Sequence, residues 1–202
     1  MIEIPTLETE RLILRAPKFE DLESMEVFFA DPVRMKFLGG PIKRGDVWRA
    51  LLRTAGHWQI RGYGFWHIED RETGIMCGYT GFLKHIEHPE EELAWGVFKG
   101  YEGRGIAYEA AKKAKQAGVD FGIKAPISII DPENHRSRAL AERLGAQVEK
   151  ETIFMEEPAV IYRHSSVSYT VSWFKIQTKR ISIPFSLHEG LVRCIRWGFL
   201  FL

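Results

Sequence analysis

The stretch GYEGRGIA, Gly100 to Ala107, lies between an apolar run, EELAWGVF (Glu91 to Phe98), and a helical pattern over about 106–118. The first turn of a helix leaves backbone N–H groups without internal partners, and the helix dipole adds about half a positive charge there. Glycines remove Cβ atoms, so a phosphate can approach those amides closely. The segment therefore reads as a pyrophosphate cradle built from the amides of Gly103, Arg104, Gly105, Ile106 and Ala107. A Walker loop would end in Gly-Lys-Ser/Thr, which is absent. A dinucleotide fingerprint needs a third glycine three residues after Gly105, and that residue is Tyr108. Taken alone, the segment also reads as a tight turn with ordinary helix capping.

Working outward, Arg11 to Arg15 reads as a strand. Residues 18–30 place Phe19, Leu22, Met25, Phe28 and Phe29 on one helix face. Residues 44–60 form a second helix with Val47, Leu51, Leu52, Ala55 and Trp58 as its apolar stripe. Two strands, 63–69 and 75–86, flank the turn Asp70 to Gly74 and make a hairpin. The run at 91–98 is a further strand. After the glycine loop and its helix come a strand at 125–130, a helix at 134–144 stopped by Gly145, and a final strand pair at 147–154 and 159–164. The order β-α-α-β-β-β-α-β-α-β-β predicts an α/β fold whose mixed sheet carries helices on both faces.

A second motif, DPENHRS (Asp131 to Ser137), follows the next strand and opens the helix that closes at Leu144 and Gly145. With both motifs in place the chain resembles the GNAT N-acetyltransferases. It is most similar to the branch of the ribosomal-protein N-terminal acetyltransferases and related uncharacterised enzymes. The family pattern is Q/R-x-x-G-x-G/A on the loop, Asn and Ser one strand later, then a helix ending in Leu-Gly. TLETERLILR (Thr6 to Arg15) and EELAWGVF also look like that branch, and the resemblance covers about residues 6–164. It implies a GNAT domain over 1–164: a central, mostly antiparallel sheet with one splayed parallel pair, flanked by about four helices. Three positions depart from the pattern. Gly100 stands at the Gln/Arg anchor, Ala146 follows Gly145 where phenylalanine is frequent, and Ala141 occupies the site of a tyrosine acid, so a tyrosine-acid mechanism is not expected.

The resemblance implies acetyl-CoA as co-substrate and a primary amine, on a peptide or a small molecule, as acceptor. The cradle would hold the phosphates, with Arg104 adding charge. The opened strand edge at Trp95, Gly96, Val97 and Phe98 would hold the pantetheine arm, and Asn134 would bond the same arm. Glu92 is the candidate base, with His85 and His88 as neighbouring alternatives, and Ser137 is the candidate donor to the leaving thiolate. An α-amino group near pKa 8 is roughly a quarter free base near neutrality, whereas a lysine is about a thousandth, so only the second demands a base. Asn134 and Ser137 also read as plain helix caps, and Glu92 as a solvated edge carboxylate. Phe65, Trp66, Trp58 and Trp48 either line an acceptor pocket or belong to the core. A non-catalytic acyl-CoA-binding or regulatory module is the alternative to an enzyme.

Hydrophobic residues make up 45% and charged residues 27% of the 202, with a net charge of +1, a soluble globular balance with no global field for nucleic acid or an anionic membrane. No His/Cys/carboxylate group has zinc spacing, so no metal is expected. Cys77 and Cys194 form no CxxC pair, the N-terminus lacks a leader-like apolar run, and no segment is apolar over ~20 residues. These features predict a cytoplasmic protein. Members of the family often pair, so a homodimer is implied as the assembly to look for. Residues 165–202 carry Lys175, Lys179, Arg180, Arg193 and Arg196 against Glu189 alone, a net +4 that leaves −3 on the first 164. This extension reads either as a basic, aromatic arm or as an appendage without function.

Overall fold

The computed structural model describes residues 2–166. All but the first two residues of the C-terminal extension lie outside the described residues, and the readings of 165–202 with them. The strands are β1 (Leu7–Glu8), β2 (Leu12–Arg15), β3 (Phe65–Asp70), β4 (Met76–Leu83), β5 (Glu92–Val97), β6 (Ile127–Ile130), β7 (Ala146–Phe154) and β8 (Glu157–His164). The helices are α1 (Asp21–Phe29), α2 (Arg44–Arg61), α3 (Ile106–Ala117) and α4 (His135–Arg143), with short 3-10 turns at Met35–Phe37 and Gly118–Phe121. The eight strands form one sheet in the order β1-β2-β3-β4-β5-β6-β8-β7, antiparallel throughout except for β5 against β6.

Local chemistry explains the β3–β4 hairpin. Asp70 Oδ1 accepts the N–H groups of Glu72 and Thr73 at 3.0 and 3.1 Å, and Gly74 closes the turn with φ +68°. Further along β4, Gly81 has φ +145°, and a Cβ there would lie 2.2 Å from the Gly64 carbonyl oxygen. Gly81→Ala is therefore expected to lose about 3 kcal/mol or more, from backbone strain and overpacking together; urea unfolding measures it.

Helix α3 lays Ile106, Ala110 and Ala114 on a cluster with Leu12, Leu14, Trp66, Phe82 and Leu93, all nearly inaccessible to solvent. Helices α1 and α2 build a separate cluster from Leu22, Met25, Phe28, Val47, Ala50 and Leu51. Ala50, not Leu52, completes the α2 stripe, and Leu52 is exposed. At 3.6 residues per turn Leu52 lies about 140° round the helix from Val47, off the buried face. Phe19 precedes α1 and is also exposed, stacking edge-on against Trp48 at 5.8 Å.

The first residue of α1 anchors it to the sheet. Asp21 accepts from Arg15 Nη2 at 2.7 Å, Arg15 Nη1 at 2.9 Å, His67 Nδ1 at 2.6 Å and the Lys18 amide at 2.9 Å. Burial alone would raise its pKa, but the hydrogen bonds from Arg15, His67 and Lys18 outweigh that and hold it far below the ordinary carboxylate range.

Candidate active site

β5 and β6 touch at one point. Glu92 faces Ile127, and the Ile127 amide donates to the Glu91 carbonyl at 3.0 Å. Beyond that vertex side chains replace the ladder. The Ser128 hydroxyl donates to the Leu93 carbonyl at 2.6 Å, and Glu92 Oε1 accepts the Ile129 amide at 3.2 Å. Because Ser128 spends its proton on Leu93, it accepts from His164 Nε2 at 2.9 Å, which sets that ring's tautomer. His164 is inaccessible to solvent; burial, then the neighbouring Lys115, pull its pKa down to about 4. These substitutions satisfy the backbone while letting the strands part.

The parted strands open a cleft of about 1120 Å³. Trp95, Gly96 and Val97 form one wall. Phe98 does not border it. Its amide donates to the Cys77 carbonyl at 2.8 Å and its ring stacks on Phe28 at 4.9 Å, so it belongs to the core. The cleft ends on Gly103, Gly105, Ile106 and Ala107. Gly105 caps α3 with φ +79°, a conformation that glycine adopts without a Cβ penalty. Among the described residues, the amides of residues 103–107 make no hydrogen bond outside the helix. The Arg104 side chain is exposed, lies over the Tyr101 ring at 5.3 Å and is not on the wall; its carbonyl accepts from Arg11 at 3.0 Å. Asn134 and Ser137 border the opposite side, with Asn134 Oδ1 capping α4 through the Ser137 amide at 3.2 Å.

Gly100, read as the anchor position, is outside the cleft, whereas Glu102 borders it. The family pattern runs equally well from Glu102 through Gly105 to Ala107. Glu102 accepts the Gly100 amide at 2.6 Å and pairs with Arg34, which also pairs with Asp31. Arg34 Nε is buried without a partner.

Glu92 is buried at the vertex and faces neither this cleft nor the second one. Its other oxygen, Oε2, is 3.0 Å from His88 Nε2, while His88 Nδ1 is buried without a partner. The His85 ring is next, 5.3 Å from that of His88.

A second cavity of about 510 Å³ lies between α1, α2 and the sheet, with His85, Phe65 and Tyr79 on its wall. Trp58 and Trp66 are core, and Trp48 is a surface residue, so of the four aromatics singled out only Phe65 lines this cavity. Tyr79 packs directly on Gly96, where an added Cβ would lie 2.5 Å from its ring. The two cavities therefore meet back to back at Tyr79 and Gly96, and Leu38 borders both. Sequence reasoning missed Tyr79, Arg34 and Ser128. Gly96 inside an apolar strand was the one available signal, since such a glycine marks a close approach. Among the described residues no group of three or more His, Cys, Asp or Glu is arranged to hold a metal, and no helix is long and apolar enough to cross a membrane.

The chain matches the acetyltransferase (GNAT) domain family over residues 11–147. It is 30% identical to the uncharacterised protein YkkB of Bacillus subtilis (strain 168), over 79% of this chain and 95% of that one. The crystal structure of an acetyltransferase from Agrobacterium tumefaciens str. C58 superposes with a TM-score of 0.75 at 32% identity, covering 82% of this chain and 97% of that one. The microcin C7 self-immunity acetyltransferase MccE, solved in complex with acetyl-CoA and AMP, shares the fold at 16% identity and a TM-score of 0.64, over 78% and 93% of the two chains. The mixed sheet with its single parallel contact agrees with these matches, and the chain belongs to the GNAT acetyltransferase family.

Proposed function

We propose that this protein transfers an acetyl group from acetyl-CoA to the nitrogen of a primary amine, by direct attack with both substrates bound together. The observation that carries the reading is the splay of β5 from β6 beyond Glu92 and Ile127, which opens a cleft ending on the amides that start α3. Acetyl-CoA, when bound, supplies an activated thioester. The amides of Gly103 to Ala107 would hold its pyrophosphate, and the edge at Trp95 to Val97 its pantetheine arm. Asn134 would bond that arm from across the cleft. Ser137 would donate a hydrogen bond to the sulfur as negative charge develops on it.

The second cavity admits the amine, which reaches the thioester past Tyr79 and Leu38. Glu92 is committed to the Ile129 amide and to His88, so its part is to orient the His88 imidazole. His85 lines the cavity in front of that pair. Burial first, then His88, Arg53 and His57, lower its pKa, so it is neutral near pH 7 and can accept a proton. As the new N–C bond forms and the C–S bond breaks, the amine proton passes to this histidine. Burial, then the Glu92 carboxylate, raise the Tyr79 phenol, which keeps its hydroxyl a donor beside Gly96.

Thermal unfolding with and without acetyl-CoA tests the reading. Ligand at about 100 times its dissociation constant adds roughly 2.7 kcal/mol, and release of free thiol in the presence of amines must follow. Absence of any stabilisation sinks the proposal. Stabilisation without thiol release across a broad amine panel favours the non-catalytic acyl-CoA-binding module, a reading in keeping with Ala141 at the position of the family's tyrosine.

A further inference from the structure

We propose that the acceptor is a small primary amine that combines an apolar or aromatic body with a carboxylate, and that Arg53 receives the carboxylate. The inference rests on the acetyl-transfer reading and names the substrate class of its second cavity. At about 510 Å³ the cavity suits a small molecule. Its inner wall is aromatic. Phe29 and Tyr79 lie nearly parallel with centroids 6.4 Å apart, Phe65 is 5.3 Å from Tyr79, and Met25 and Met35 complete the floor. Such a wall accepts an apolar side chain or a ring.

The charges around the cavity all point the same way. Asp46 is the carboxylate on the rim, and Arg49 already pairs with it. Asp21, behind His67, is saturated by Arg15, His67 and the Lys18 amide. His57 donates from Nδ1 to the Tyr63 carbonyl at 2.7 Å, so its Nε2 accepts the Lys84 amide at 3.1 Å; the ring is fully used and neutral. Burial first, then His88, Arg53 and His57, lower the pKa of His85. A polyamine or aminoglycoside would therefore enter a cavity with no free carboxylate to meet its second charge. Arg53 is the opposite case: an exposed guanidinium on the rim, with no ion pair among the described residues. A guanidinium binds a carboxylate through two parallel N–H donors.

The experiment follows thiol release by the full chain at saturating acetyl-CoA, with L-phenylalanine, L-phenylalaninamide, 2-phenylethylamine and spermidine as acceptors. The same series is run on Arg53→Gln, whose acetyl-CoA-induced thermal shift is recorded alongside as a check on folding and on the cofactor cleft. L-phenylalanine is expected to exceed each of the other three by at least about tenfold in kcat/KM, roughly one charge-assisted contact. In Arg53→Gln the preference of acid over amide should fall at least fivefold, through KM. The amide has the more weakly basic amine and is thus the better free nucleophile at neutral pH, so a preference for the acid has to come from binding. Equal or better turnover of spermidine or phenylethylamine overturns the proposal. So does an unchanged preference in Arg53→Gln, or no turnover of any of the four. In each of these outcomes, stabilisation by acetyl-CoA leaves the cofactor reading standing, whereas its absence removes both.

Discussion

Arg34→Met is expected to weaken acetyl-CoA binding about tenfold or more, and Glu102→Gln in the same chain to restore most of the loss. Glu102 borders the cleft between β5 and β6 beside the amides of the glycine loop, where an unneutralised carboxylate would oppose any phosphate. Arg34 cancels that charge from the segment between α1 and α2, with its other side held by Asp31. A like-charge contact near a protein surface costs on the order of 1–3 kcal/mol after solvent screening, or roughly 5- to 150-fold in affinity. Glu102→Gln alone should leave binding unchanged or tighten it, which gives the double-mutant cycle a defined sign. Calorimetric titration with acetyl-CoA measures the effect, and an acetyl-pantetheine thioester, which lacks the pyrophosphate, should bind equally to all four proteins. An Arg34→Met dissociation constant within twofold of the parent would show that Glu102 does not burden the cradle.

The other large effect concerns stability. Asp21→Asn should destabilise the domain by about 3–5 kcal/mol, since it removes the negative charge, and one of two acceptor oxygens, that Arg15 and His67 share while both stay buried. His67 and Arg15 retain little exposure, and Arg15 keeps Glu69, 2.5 Å from its Nε, and the Ala16 carbonyl, 3.0 Å from its Nη1. The loss has a defined pH signature. The Asp21 pKa is depressed on folding, so its contribution is complete above the ordinary carboxylate value and disappears as pH falls through that value toward the folded one. His164 works in a different window. Its folded value of about 4 lies below the unfolded 6.5, so the unfolded chain takes up the proton first, and stability drops on acidification from 6.5 to 4 by on the order of 3 kcal/mol. His57 and His85, also lowered, add to that fall. Urea unfolding of parent and Asp21→Asn should therefore run parallel from pH 7 to about 4.5 and converge only below it. Convergence already between pH 7 and 5 would contradict the assignment to Asp21.

The sequence alone determined whatever depends on neighbours within about one turn or one hairpin. The strand–glycine–helix passage at 91–118 matches β5, the cap at Gly105 and α3. Asn134 caps α4, Asp70 and Gly74 turn the β3–β4 hairpin, and the spacing of Val47, Leu51 and Trp58 marks the buried face of α2. Backbone dihedral preferences, caps and periodicity are local properties, so they are legible in a string of residues. The stripe read for α2 included Leu52, which the 3.6-residue period puts off the buried face, and Ala50 packs against α1 in its place.

Tertiary structure decided what each site residue touches. Glu92 reads as a free edge carboxylate in the run Glu90, Glu91, Glu92, yet it is buried, because the parallel pairing with β6 brings the Ile129 amide to it across 37 residues. Ser128 and His164 meet at the vertex only because β8 returns between β6 and β7. Arg34 finds Glu102, and Tyr79 covers Gly96, through strand order and register. A contact between distant residues is set by which elements become neighbours and in what register, and that choice belongs to the burial of the whole sheet, not to the chemistry of any one segment.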